Sequence, residues 1–166
     1  MNRYLYLSGS MSVFVLMTLA CGRNRSNAIT WHQKLTPCPC ENPDWDSVRV
    51  GDGWARDLGN IAKYHAGSTA CFRSYPSVST SEGRSGQQCC YDAQGKLILC
   101  GSGAGTPDMI STCNGEDGRG IMRTKYSALF GHWRKDVRPW EAAGGRDSGW
   151  VKYNLIHPPN TGDGCR

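Results

Sequence analysis

The sequence predicts a small disulfide-rich α+β domain, with a central antiparallel β-sheet, one or two short helices and long loops. Three observations predict it: nine cysteines spread over 166 residues, a scarcity of aliphatic side chains beyond the first twenty positions, and a hairpin pattern near the middle of the chain. Leu, Ile, Val and Phe supply 19 of the 146 residues from position 21 onward, about 13%, below the roughly 20% at which compositions begin to look disordered. Six tryptophans, seven tyrosines and a net charge of only +5 point to a packed chain all the same. A small aromatic core pinned by disulfides reconciles the two, since each bridge stabilises by typically about 2–4 kcal/mol.

The chain opens with an export signal. Arg3 is the only charge in residues 1–20, and Val13 to Ala20 form a short, almost wholly apolar run ending in small residues, which is the pattern of a secretory signal peptide. That run falls short of the roughly 20 apolar residues needed to span a bilayer. Two cleavage readings fit Thr18-Leu19-Ala20-Cys21. Ordinary signal peptidase would release a secreted protein. A lipobox reading places a lipid on Cys21, although Thr18 stands where leucine is usual. Cysteine parity favours the second reading, because lipidation of Cys21 leaves eight cysteines, an even set, for bridges. These are Cys38, Cys40, Cys71, Cys89, Cys90, Cys100, Cys113 and Cys165, with partners left open. The polar stretch of residues 21–36 then serves as a tether, and residues 37–166 form one domain. Export also favours bridges over zinc: Cys38-Pro39-Cys40 is tighter than common zinc spacings, and His32, His65, His132 and His157 include no paired ligand motif. No metal and no other cofactor is expected.

Along the domain, Trp54, Leu58, Ile61 and Ala62 have helical spacing and predict a short helix over 54–63. Residues 69–75 have strand composition, and 76–86 read as a serine- and glycine-rich loop. Residues 87–91 and 96–100 flank Asp92-Ala93-Gln94-Gly95, whose Asp and Gly suit a type I turn, so they predict a β-hairpin. Adjacent strand residues point to opposite faces, so Cys89 and Cys90 are expected to reach different cysteines in two neighbouring layers. Residues 101–120 and 140–149 read as glycine-rich loops. Tyr126, Leu129, Phe130, Trp133 and Val137 predict a helix over 125–137, ended by Pro139. Residues 150–156 read as a last strand.

Several of these pieces together resemble the AMOP domain, a cysteine-rich extracellular module of adhesion-associated proteins. Gly86-Gln87-Gln88-Cys89-Cys90-Tyr91-Asp92 is the most specific, joined by residues 64–74, Gly95-Lys96-Leu97, and Pro37-Cys38-Pro39-Cys40 upstream. Downstream come His132, Asp136, Val137 and Pro139, then Tyr153 before Pro158-Pro159. The stretch 140–145 lacks the further cysteines common in the family, so no pairing is carried over. The resemblance implies an extracellular interaction module with no defined catalytic residues.

Function is therefore expected to be binding or adhesion at a surface glycan or protein, from the cell envelope at an outer membrane or, without lipid, in secreted form. A structural envelope lipoprotein and a secreted hydrolase are the alternatives. Nucleic acid is not an expected partner of an exported chain. His132 and Asp136 could form an acid–base pair, but Asp136 better fits a structural hydrogen-bond acceptor fixing the turn into Pro139. Arg119, Arg123, Lys125, Arg134, Lys135 and Arg138 make a loose basic zone. Trp45 and Trp140 stand in polar stretches as exposed aromatics, and the loops 101–120 and 140–149 are the expected binding surface.

Overall fold

A computed structural model of the chain describes residues 31–43, 53–112, 126–162 and 164–165. Cys21, Cys113, Trp45, Arg119, Arg123 and Lys125 lie outside the described residues, as does the segment read as signal and most of the tether.

The fold is α+β. A three-stranded antiparallel sheet has the order β1 (Trp54–Arg56), β2 (Ala70–Ser74), β5 (Gln88–Tyr91), with β2 in the centre. A second, two-stranded sheet pairs β3 (Val78–Thr80) with β4 (Gly83–Ser85). The short helix α1 (Ile61–Tyr64) links β1 to β2. Helix α2 (Tyr126–His132) runs into a π-helical turn (Trp133–Val137), then α3 (Arg138–Ala142) and α4 (Gly145–Ile156).

Strand register gives the central sheet two unlike faces. Phe72 lies opposite Cys89, and Ala70 opposite Tyr91. With Trp54, Leu97 and Cys38 they make the main apolar core, where the Phe72 and Tyr91 rings meet edge to face at 5.8 Å. Tyr91 also donates to the Pro39 carbonyl at 3.0 Å. The other face presents Ala55, Cys71, Arg73, Gln88 and Cys90. Half of this sheet is thus built on polar side chains, which explains how a chain so poor in aliphatics can still bury both faces.

Three bridges tie this arrangement: Cys38–Cys89, Cys40–Cys165 and Cys71–Cys90. Cys100 is disulfide-bonded as well. Neighbouring Cys89 and Cys90 do reach different partners. Cys89 fastens the 38–40 segment onto the apolar face, whereas Cys90 joins Cys71 directly across the ladder. The second bridge therefore clamps two strands of one sheet and joins no second layer.

The turn at 92–95 is present: Gly95 N–H donates to the Asp92 carbonyl at 3.1 Å, and the Asp92 carboxylate accepts from the amides of Gln94 and Lys96. Beyond it only Tyr91 and Leu97 bridge, and Lys96 pairs instead with Glu41, so 96–100 is not a full strand. Other expectations fail. Residues 54–56 are strand, and Leu58, expected on a helix's inner face, is exposed. The 76–86 loop contains the β3–β4 hairpin. Pro139 does not stop the helix: Arg138 stays helical at φ −61°, ψ −43°, and its N–H reaches back five residues to Trp133. The wide π turn lets Pro139, which has no N–H to give, fall in the first turn of α3, where none is required.

Residues 140–156 are the largest correction, being two helices where a loop and a strand are expected. The corner between them is made by Gly144 at φ 119°. A Cβ on Gly149 would lie 2.9 Å from Gly144 C and 3.1 Å from the Trp140 carbonyl, so glycine there serves close helix–helix approach. Trp140 is accordingly buried, its ring 4.8 Å from that of Tyr64.

Candidate functional site

The polar face of the sheet is the floor of a cavity of about 220 Å³, roofed by α1, α2, the π turn, α3 and α4. Arg73 stands at its centre, almost wholly buried. Its Nη1 donates to Asp108 Oδ2, and its Nε lies 3.2 Å from Asp57 Oδ2, an ion pair set off the line of a hydrogen bond. Asp57 is further held by the Gly59 amide at 2.8 Å and by Gln88 Nε2 at 2.6 Å. Burial alone would raise the Asp57 pKa, yet Arg73 and the Gly59 amide outweigh it and keep the carboxyl below its usual range.

His65 completes that side. Its Nδ1 meets the Ala104 carbonyl at 2.9 Å and its Nε2 meets Gln88 Oε1 at 2.9 Å. Burial drives its pKa down, against those contacts and the charge of Asp57.

On the other side, Asp136 accepts from the amides of Met109 and Ile110, at 2.7 and 3.1 Å, and its Oδ2 is 3.1 Å from His132 Nδ1. This is the structural role expected of Asp136, although what it fixes is the 108–110 segment as much as the turn into Pro139. His132 Nδ1 also lies 3.0 Å from the Ile110 carbonyl, which can only accept, so this nitrogen carries a proton. Burial opposes the imidazolium, but Asp108 and Asp136 hold the His132 pKa above its ordinary value. Burial pushes the Asp108 carboxyl up to about 6, against the pull of Arg73 and His132.

Asp108, His132 and Asp136 bring one ligand atom each within 4.8 Å of one another, a spacing that could suit a metal ion. The donor set does not. The nitrogen facing both carboxylates is protonated, Asp136 is occupied by backbone amides, and Arg73 already neutralises Asp108. The cluster is a hydrogen-bonded ion network.

Of the site residues legible in the sequence, His132 and Asp136 come together here, joined by Trp140, which is buried in the cavity lining and not exposed as expected. Arg134 and Arg138 are exposed, and Lys135 is held by Glu82, its Nζ donating to the carbonyl at 2.8 Å and to Oε2 at 3.2 Å. Next to them Phe130 and Trp133 are exposed and in ring contact at 5.9 Å. Of the expected loop surface, 113–120 lies outside the described residues, while 140–142 and 145–149 are helical and 103–108 are buried. Gly105 has no room for a Cβ, which would sit 2.4 Å from the Gln88 carbonyl, so this segment lies flat on β5. Sequence reading missed Arg73, Asp57, Asp108 and His65. The available signal was a charged residue inside an otherwise apolar strand, Ala70-Cys71-Phe72-Arg73, which demands buried partners of opposite charge.

The fold and site define a small disulfide-stapled α+β module that carries a solvent-reaching cavity lined by both polar and apolar side chains. The chain belongs to the AMOP domain family, which matches residues 22–166. It is an exported, disulfide-stabilised member of that family of extracellular, adhesion-associated modules. It is similar to human Sushi domain-containing protein 2, with 39% identity over 113 residues, 63% of this chain and 13% of that protein. The chain thus corresponds to a small part of that relative's length. No solved structure matches it.

Proposed function

We propose that the protein is an extracytoplasmic binding and adhesion module that holds a surface glycan or protein through the cavity above β2 and β5. One observation carries this reading: a solvent-reaching cavity on a covalently cross-linked sheet, lined in part by the Tyr153 and Thr106 hydroxyls, which have no partner among the described residues. Loops and helices held on a rigid frame are where binding groups gain most from preorganisation. A hydrolytic role is less well supported, because the carboxylate nearest His132 is saturated by backbone amides and the described lining offers no serine or cysteine nucleophile. A purely structural envelope role leaves the cavity unexplained.

The test uses Leu129, which lines the cavity yet is 37% exposed, and so stands at its mouth. Leu129→Trp is expected to abolish attachment of the full chain to cell surfaces while leaving its melting temperature within about 2 °C, as for a surface change. Undiminished attachment would place the binding surface elsewhere.

The reading includes residues 1–20 as a signal peptide, 21–36 as a tether and a lipid on Cys21, holding the domain on a membrane, with the outer membrane as the proposed location. More than one acyl chain is needed for stable anchorage, a condition that lipoprotein-type acylation meets. Intact mass of the protein extracted from membranes should show those acyl groups on a chain beginning at Cys21. Unacylated protein in the medium would instead establish plain secretion.

A further inference from the structure

Polar atoms buried in a folded protein normally have partners, and those that do not call for a reason. Four polar groups of residues that line the cavity keep hydrogen-bonding capacity unused among the described residues. Tyr153 and Thr106 are 5% and 7% exposed, line it, and have hydroxyls that make no hydrogen bond among the described residues. Asp108 Oδ2 is taken by Arg73, but Oδ1 is 3.7 Å from His132 Nδ1, outside hydrogen-bond distance. Of the Arg73 nitrogens only Nη1 donates a hydrogen bond among the described residues, which leaves Nη2 with two unused protons.

We infer that the cavity binds one neutral sugar ring, such as the terminal residue of a glycan. This rests on the reading of the protein as a binding module and names its ligand class. The unused groups are one donor (Arg73), one acceptor (Asp108) and two hydroxyls that can do either (Tyr153, Thr106). That mixture matches vicinal hydroxyls, each of which both donates and accepts; a phosphate or carboxylate would only accept and an ammonium would only donate. The charges close by nearly cancel: three carboxylates, Asp57, Asp108 and Asp136, face Arg73 and His132, and Arg73 already pairs with Asp57 and Asp108, so a strongly anionic ligand is disfavoured and a cation finds only one carboxylate oxygen to spare. The lining also has apolar members, Trp140 against Tyr64 together with Leu129 and Val137, which can cover the C–H face of a sugar. At about 220 Å³ the cavity far exceeds the roughly 10–15 Å³ that holds one water, and falls below the roughly 300–1,000 Å³ of pockets for larger ligands. One ring fits that size; a chain does not.

The experiment titrates the full chain with the methyl glycosides of glucose, galactose, mannose and N-acetylglucosamine, followed by saturation-transfer NMR and calorimetry, with choline and acetate as cationic and anionic probes. At least one glycoside is expected to bind in preference to both ions. Tyr153→Phe and Thr106→Val should each weaken it about 3–10-fold, one lost hydrogen bond apiece. Because neither hydroxyl has a partner among the described residues, both variants should melt where the wild type does, and each carries the test independently of the other. Binding of no glycoside, equal binding by both variants, or preference for choline or acetate would overturn the assignment. If cell attachment persists and is lost in Leu129→Trp while no glycoside binds, the sugar assignment alone falls; if the chain attaches to nothing, the binding reading falls with it.

Discussion

Replacing Arg73 with leucine is expected to lower the unfolding free energy by about 3–5 kcal/mol, the usual consequence of stranding a buried charge. Among the described residues the guanidinium is the only side chain that pairs with both Asp57 and Asp108, whose own side chains are 3% and 5% exposed. Without it, two carboxylates face each other across the polar side of the sheet, with Asp136 beyond them and only His132 as counter-charge. They must then take up protons or draw in water, and either outcome loosens the 104–112 segment that seals β5. The effect belongs to the unpaired acids more than to the missing arginine, so combining Arg73→Leu with Asp57→Asn and Asp108→Asn should recover most of the loss. Urea denaturation under oxidising conditions measures both variants. A loss below about 1 kcal/mol for Arg73→Leu would mean that the network is hydrated through the cavity to the extent of a surface ion pair.

Arg73 also marks the boundary of what the sequence can disclose. Local chemistry was readable where a few neighbouring residues settle it. The Asp92–Gly95 turn is fixed by one side chain capping two amides, strand β2 by its composition, and the opposed directions of Cys89 and Cys90 by the pleat. His132 and Asp136 were readable as a pair because they are four residues apart. The rest of the site comes from β1–α1, β2, β5, the 104–112 segment and α4, which meet only through the register of Cys71 with Cys90 and Arg73 with Gln88. No periodicity in one segment reports that meeting.

The misread elements have a common cause as well. Glycines at 144, 145 and 149 look like loop composition, yet they permit the α3–α4 corner and its close approach, which is a tertiary demand. Trp150 to Ile156 has β-branched and aromatic content, yet it is helical, with Tyr153 inward and Val151, Leu155 and Ile156 exposed. Composition misleads there because a helix of which one narrow stripe is buried has little need of a regular apolar pattern. At Trp54, by contrast, short-range spacing imitated a helix that pairing with Ser74 and Phe72 overrides.

Removing the bridge between Cys40 and Cys165 should cost about 4–5 kcal/mol, since chain entropy in the unfolded state grows with the loop closed and this bridge spans 125 residues. The same arithmetic gives only about 3 kcal/mol for Cys71–Cys90, which are 19 apart. The Cys38–Cys89 bridge shortens the path between Cys40 and Cys165 in the unfolded chain, but loop entropy is logarithmic, so the reduction is only a few tenths of a kcal/mol. The native side matters too. Cys165 anchors the tail beyond α4 against the 38–40 segment, where Asn160 Oδ1 accepts from the Cys38 amide at 2.9 Å and the Gly162 amide at 2.7 Å. Helix α4 carries Tyr153, and His157 follows it, stacked on the Tyr153 ring at 4.1 Å and bonded to the Pro107 carbonyl at 2.9 Å. A freed tail therefore reaches the cavity through His157. The Cys40→Ala, Cys165→Ala double variant, denatured without reductant, is expected to show the full loss of stability together with faster hydrogen exchange at 157–162. A cost below about 2 kcal/mol, with exchange unchanged, would mean that the remaining bridges already restrain the unfolded chain and that the tail is held by its polar contacts alone.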